Sequence, residues 1–315
     1  MIDVGWQGWV IFNAVVLFML LLDLGVFHRK SERVTVRAAL GWTVFWVALS
    51  MAFNGWVWSS FGQEKGLEFL AGYILEKSLS VDNLFVFLLI FSYFKVPPEL
   101  QHRVLFFGIV GALVLRGGFI YLGATLVHQF HWILYLFGAF LVFSGFKLLF
   151  VGDDDEQDPE NAIVKAIRAR IQLTDGFRDD KFFVRENGAL LATPLFLVLI
   201  AVETSDVLFA VDSIPAIFGV TDDTFIVYTS NVMAILGLRA LYFALAGLLE
   251  YFHYLNYGLA LVLIFIGVKM LGESYFSLSI LVELSIIGAL LVGSVLASVF
   301  FPKRPENTDS EDAEV

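Results

Sequence analysis

The sequence predicts an all-α fold, a polytopic membrane helical bundle of about nine transmembrane helices, six of them arranged as an inverted three-plus-three repeat. Three observations predict it. Apolar residues make up 58% of the 315-residue chain and charged residues 16%, with 33 Phe, a composition outside the range of soluble domains. Runs of about 20 apolar residues, the length that spans a bilayer, recur along the chain. Two acidic stretches lie inside such runs: Glu76-Lys-Ser-Leu-Ser-Val-Asp82-Asn83, and Glu203-Thr-Ser-Asp206-Val-Leu-Phe-Ala-Val-Asp212-Ser213-Ile-Pro215. A carboxylate at the bilayer centre costs about 2.5–3.5 kcal/mol, so acids kept there point to a function.

Taken in order, hydropathy places spans at Trp6–Phe27, Ala39–Trp58, Phe69–Phe94, Val104–Val127, Trp132–Phe150, Leu190–Phe218, Phe225–Leu249, Tyr257–Leu271 and Phe276–Phe301. Met1 to Gly5 carries no Lys or Arg, so the first run lacks a basic signal-peptide n-region and reads as a retained span. Trp6, Trp9, Trp56, Trp58 and Trp132 lie near span ends, where interfacial aromatics belong. Of the 20 Lys and Arg, Lys77, Arg116, Lys147, Arg239 and Lys269 fall within spans. With the N-terminus outside, fourteen of the rest lie on the cytoplasmic side and only Lys65 outside. The positive-inside rule therefore predicts N-out, C-in.

The organisation that follows is an N-terminal pair of spans with their loops (1–68), a three-span unit (69–150), a cytoplasmic loop (151–189), a second three-span unit (190–272), a last span (273–302) and an acidic, disordered tail (303–315). In the long loop Ile163, Ile167 and Ile171 recur at helical spacing beside Lys165, Arg168 and Arg170. That suits either a short amphipathic helix on the inner membrane face or a solvated connector. The two units repeat each other. Glu76 and Asp82 stand 130 residues before Asp206 and Asp212, Leu115-Arg116 matches Leu238-Arg239, and Gly145-Phe-Lys147 matches Gly267-Val-Lys269. Three spans per unit turn the second copy upside down, as in many secondary transporters, whose sites lie near the midplane where the copies meet.

Composition excludes several chemistries. The chain has no cysteine, hence no disulfide and no thiolate ligand. The net charge of −11 is concentrated in Asp153–Glu160, in the tail and in the buried acids, and makes no nucleic-acid surface. No resident cofactor and no enzymatic centre are expected. What remains is an oxygen ligand set: Glu76, Asp82, Asn83, Glu203, Asp206 and Asp212, supported by Ser213. The five histidines (28, 102, 128, 131 and 253) sit in loops or at span edges. Carboxylate, amide and hydroxyl oxygens favour Mg, Ca or Mn over Zn or Cu. Five carboxylates exceed one divalent charge, so Arg116, Arg239 or Lys77 would pair with some, and protonatable acids competing with a metal would allow proton-for-metal exchange.

Helix geometry constrains this set. Glu203 and Asp206, three apart, share one face, whereas Glu76 and Asp82, like Asp206 and Asp212, point about 120° apart on an unbroken helix. One site holding both members needs local unwinding, and Pro215 supplies a place for it. Arg116 and Arg239 either brace carboxylates or touch substrate, and Lys147 and Lys269 are expected to snorkel. Asp23 and Asn54 serve either as helix–helix hydrogen-bond partners or as ligands.

These stretches, together with Ser230-Asn-Val-Met-Ala-Ile-Leu-Gly-Leu-Arg239, resemble the TerC family, in particular its Alx branch, over roughly Leu22 through Gly272. The resemblance implies membership of the LysE superfamily of exporters and an association with manganese efflux, tellurium resistance and metal loading of exported proteins. It marks Glu76, Asp82, Glu203, Asp206 and Asp212 as the functional acids and says nothing of the middle loop or tail. The expected function is export of Mn²⁺ across the bacterial inner membrane in exchange for protons, with Asp82 and Asp212 as central ligands and Glu76, Glu203 and Asp206 completing the coordination or carrying protons. The alternatives are a membrane-embedded metal-insertion or stress-complex scaffold, and an exporter of organic cations.

Overall fold

The computed structural model describes residues 4–27, 35–130, 132–150, 162–186, 188–245, 254–272 and 278–300, without the side chains of residues 23–27, 82 and 85. Its helices are α1 (Gly5–Phe27), α2 (Val36–Phe61), α3 (Gln63–Tyr93), α4 (Pro98–Gln129), α5 (Ile133–Phe150), α6 (Ala162–Arg168), α7 (Pro194–Phe218), α8 (Thr224–Ile235), α9 (Leu238–Leu245), α10 (Leu255–Gly272) and α11 (Ile280–Phe300). Among the described residues seven helices are long and apolar enough to cross a membrane, or eight if the α8–α9 pair, bent by 41°, is one broken span. The remaining expected span is α3, a 31-residue helix with Glu76, Lys77 and Asp82 near its middle, too charged to count as a span on composition. The protein is an all-α, multi-pass membrane bundle.

Local chemistry sets the ends. α4 and α7 begin on Pro98 and Pro194, at the helix position where a missing N–H costs nothing. The Asp223 carboxylate accepts from the Phe225 and Ile226 amides at the start of α8, a side-chain cap for otherwise orphaned donors. Gly62, at φ +94°, turns α2 into α3.

Packing follows the repeat. α3 and α8 run alongside each other: Gly72 lies against Ser230, Glu76 against Asn231, and Lys77 reaches Ala234. α4 and α7 do the same, with Gly108 at Val202 and Gly123 at Phe218. Exchanging the two units turns the first pair into the second. α5 and α10 cross antiparallel through glycines. A Cβ on Gly145 would lie 2.7 Å from the Ala260 carbonyl oxygen and 2.6 Å from Ile264, and one on Gly267 would lie 2.6 Å from the Gly138 oxygen and 2.8 Å from Val142. Residues 138, 142 and 145 precede 260, 264 and 267 by 122 in each case, so one set of contacts is made twice with the helices exchanged.

Two expectations are corrected. α7 is continuous through Pro215, so the unwinding expected there is absent. The break falls instead at Gly237, between α8 and α9, where φ is +81° and the Trp46 side chain packs against the glycine. Within the long loop α6 forms, and Ile167 and Ile171 pack on the core while Ile163 stays exposed. A hairpin of β1 (Phe183–Glu186) and β2 (Ala189–Ala192) follows, and Arg103 at the start of α4 pairs with Asp180 of this loop. Asp153–Glu160 and the acidic tail lie outside the described residues.

Candidate functional site

Four helices converge on one arginine. α4 carries Arg116 into the bundle at 2% exposure, between Glu76 of α3 and Asp206 of α7. Its Nε and Nη2 donate to the two oxygens of Asp206 at 3.1 and 2.8 Å, the bidentate fork that guanidinium geometry favours. Its Nη1 pairs with Glu76 and donates to Ser213 Oγ at 3.3 Å. Glu76, fully buried, also accepts from Ser80 at 3.4 Å and from the Asn231 Nδ2 of α8 at 2.9 Å. Arg239 is equally buried and lines, with Asp206, a cavity of about 10 Å³ between α4, α7 and α9. Two carboxylates and two guanidiniums are thus buried in this part of the bundle among the described residues. Removing one partner from such a buried set is costly, because it strands the other in a low-dielectric medium.

The remaining expected residues are distributed around this cluster. Asp212 sits on another face of α7, half-buried, and accepts from Ser144 of α5 at 2.9 Å. With α7 intact it does not join Asp206. Glu203 shares the Asp206 side of the helix and presses against Gly111 of α4, and its Oε2 is buried with no hydrogen-bond partner among the described residues. Asn83 is buried, and Asp82 lies on unbroken α3 with its side chain outside the described residues. Lys77 donates to the Ala234 carbonyl at 3.0 Å, a cation at the C-terminal end of α8 where the helix dipole favours one. Lys269 does not snorkel: it pairs with Glu283 at 2.9 Å and donates to the Gly219 carbonyl at 2.8 Å. Among the described residues no three of His, Asp and Glu gather closely enough to hold a metal ion.

Asn231 is the residue that sequence reasoning missed. It is fully buried, holds Glu76 with its amide N–H, and leaves its Oδ1 without a partner among the described residues. The signal was present in the sequence: an amide eight residues before Arg239 in an otherwise apolar span is a polar group at membrane depth.

The far end of α7 opens onto a larger cavity of about 350 Å³, lined by Glu68, His128, Leu134, Val220, Asp222 and Lys269 among others. Beside it Lys65 pairs with Glu68 at 2.7 Å and approaches Asp223 at 3.8 Å, and Thr221 donates to Glu68.

Fold and site together define a multi-pass helical membrane protein in which two exchanged three-span units bury compensated charges where they meet. Comparison with known proteins narrows the class: the chain belongs to the integral membrane protein TerC family, whose family profile matches residues 61–306. It is 48% identical to an uncharacterized membrane protein of Myxococcus xanthus over 99% of this chain and 98% of that one. It is 50% identical to Alx of Escherichia coli K12, named as a proposed membrane-bound redox modulator, over 95% of each chain. A Rickettsia bellii membrane protein is 41% identical over 93% of this chain and 97% of its own. No solved structure matches.

Proposed function

We propose that the chain is a bacterial inner-membrane exporter of a hard divalent cation, Mn²⁺ on the family resemblance, acting where α3, α4, α7 and α8 meet. The observation that carries this reading is the burial of Glu76 and Asp206 on either side of Arg116, at the junction of the two exchanged units. Two carboxylates, the Ser80 and Ser213 hydroxyls and the orphaned Asn231 carbonyl provide oxygen donors of the kind Mn²⁺, Mg²⁺ and Ca²⁺ take. A cation entering there replaces the guanidinium as counter-charge, and Arg116 swings off as it binds. Asp212 and Glu203 lie outside the clamp and, with Asp82, serve as approach ligands or as carriers of the exchanged protons. The positive-inside bias expected from the sequence, fourteen basic residues against one, supports an N-terminus outside and a C-terminus in the cytoplasm.

The protein acts on ions rather than as an enzyme; its partners are the cation, protons and the bilayer, not nucleic acid. A chain without cysteine has no thiol for redox exchange, so the redox role proposed in the name of the Escherichia coli relative would reach this protein through metal supply.

Flux into proteoliposomes containing only the purified protein, read by a Mn²⁺-quenched fluorophore, tests the reading. Wild type should accelerate quenching and Asp206→Asn should abolish the gain. Wild-type vesicles indistinguishable from protein-free ones would sink transport and leave the metal-insertion or stress-complex scaffold.

A further inference from the structure

We infer that Arg239 is the alternate of Arg116: the two arginines take turns clamping Glu76 and Asp206, Arg116 in the conformation seen here and Arg239 in the opposite-facing one. The inference rests on the transport reading above and adds the device that carries the empty protein between its two faces.

The repeat supplies the geometry. Exchanging the units turns Arg116 into Arg239, Glu76 into Asp206, Asp206 into Glu76, and Ser213 into Asn83. The observed clamp is Arg116 on Glu76, Asp206 and Ser213. Its exchanged image is Arg239 on Asp206, Glu76 and Asn83. The carboxylate pair maps onto itself, so the same two acids serve both clamps. The image has its parts at hand: Arg239 and Asn83 are each 3% exposed, and Arg239 and Asp206 line one small cavity, large enough for about one water.

The ends of the bundle are unequal in the matching way. Val220 lines the 350 Å³ cavity at the α7–α8 turn. Ile90, its counterpart 130 residues earlier at the other end, is buried at 1% exposure. One clamp is closed and one end is open. Two clamps built from equivalent residues give two states of similar energy, each with its buried acids neutralised. The empty protein then crosses between them without leaving Glu76 and Asp206 uncompensated in either state.

The chain's lack of cysteine makes the test direct. Single cysteines at Val220 and Ile90 are labelled with a membrane-impermeant maleimide in permeabilised vesicles, so that each end is reachable. In the otherwise wild-type protein Val220→Cys should react readily and Ile90→Cys should be protected. Adding Arg116→Gln should slow Val220→Cys and speed Ile90→Cys, each by about tenfold or more, as a reversed two-state preference requires. Adding Arg239→Gln should leave Ile90→Cys protected and Val220→Cys at least as reactive as before. If Arg116→Gln loosens the whole bundle, both sites will speed up together, and Arg116→Lys, which keeps the charge and loses the fork, is read in its place. Unchanged rates in Arg116→Lys and Arg116→Gln, a joint rise in both, or the same direction of shift from Arg239→Gln would each overturn the alternation. Labelling does not depend on flux, so reciprocal shifts in a protein that moves no Mn²⁺ would preserve the two-state clamp and remove only the cargo assignment.

Discussion

At the scale of residues, Arg116 decides the electrostatics of the interior. It satisfies both oxygens of Asp206 and pairs with Glu76, all at membrane depth. Breaking a buried pair by deleting one partner typically costs about 3–5 kcal/mol, whereas removing the charges together is far milder. Arg116→Met should therefore lower the unfolding midpoint in detergent strongly, and adding Glu76→Gln and Asp206→Asn to it should restore much of the loss. A triple variant no more stable than Arg116→Met would show that the charges are not the source of the cost. Glu203 offers a finer probe. A Cβ on Gly111 would run into its carboxylate, a movable side-chain tip rather than backbone, so Gly111→Ala should change stability by less than about 1 kcal/mol. The same substitution should displace Glu203 and weaken Mn²⁺ binding measured by titration if that carboxylate lies on the ion's approach. The acids of this site were legible in the sequence because charge in an apolar run is conspicuous. Their partition was not. Which carboxylates Arg116 gathers, and that Asp212 turns instead to Ser144, depends on helix rotation within the bundle, which no spacing rule along one helix reveals.

At the scale of elements, the informative contrast is between α7 and the α8–α9 pair. Proline advertises a break, since it removes an amide and crowds the preceding turn, yet α7 runs on to Phe218 through Pro215. The packed faces of α3, α4 and α5 hold the helix together where isolated propensity would let it yield. Gly237, one of 26 glycines, carries no comparable signal, yet it supplies the bend. Its φ of +81° disfavours any side chain, and a Cβ there would lie 2.6 Å from Trp46 of α2. Gly237→Ala should thus cost about 2–4 kcal/mol, adding backbone strain to overpacking. Pro215→Ala should leave stability no lower than wild type, because it restores an amide to a helix that is already formed. Thermal unfolding of the two variants side by side checks the assignment. A destabilised Pro215→Ala with a tolerated Gly237→Ala would return the functional break to α7.

At the scale of the whole molecule, the repeat acts as an architectural constraint. Its anchors were visible in sequence as matched charges and as Gly145 and Gly267 beside Lys147 and Lys269. What sequence could not supply was the crossing of α5 and α10 that makes the two glycines equivalent in space, because the contact joins residues over a hundred positions apart. The equivalence is strict enough to measure. A Cβ on Gly145 meets the Ala260 oxygen and the Ile264 amide nitrogen at 2.7 and 3.1 Å, and one on Gly267 meets the Gly138 oxygen and the Val142 nitrogen at 2.6 and 2.9 Å. Backbone atoms cannot swing aside as side chains do, so either alanine must push the helices apart, at about 1–3 kcal/mol for overpacking. Gly145→Ala and Gly267→Ala should therefore destabilise the protein by amounts that agree within about 0.5 kcal/mol. The double variant should cost less than their sum, because a single separation of the helices relieves both collisions and contacting sites are not additive. Independent, fully additive losses would mean that each glycine answers to its own surroundings and that the two units do not move as an exchanged pair.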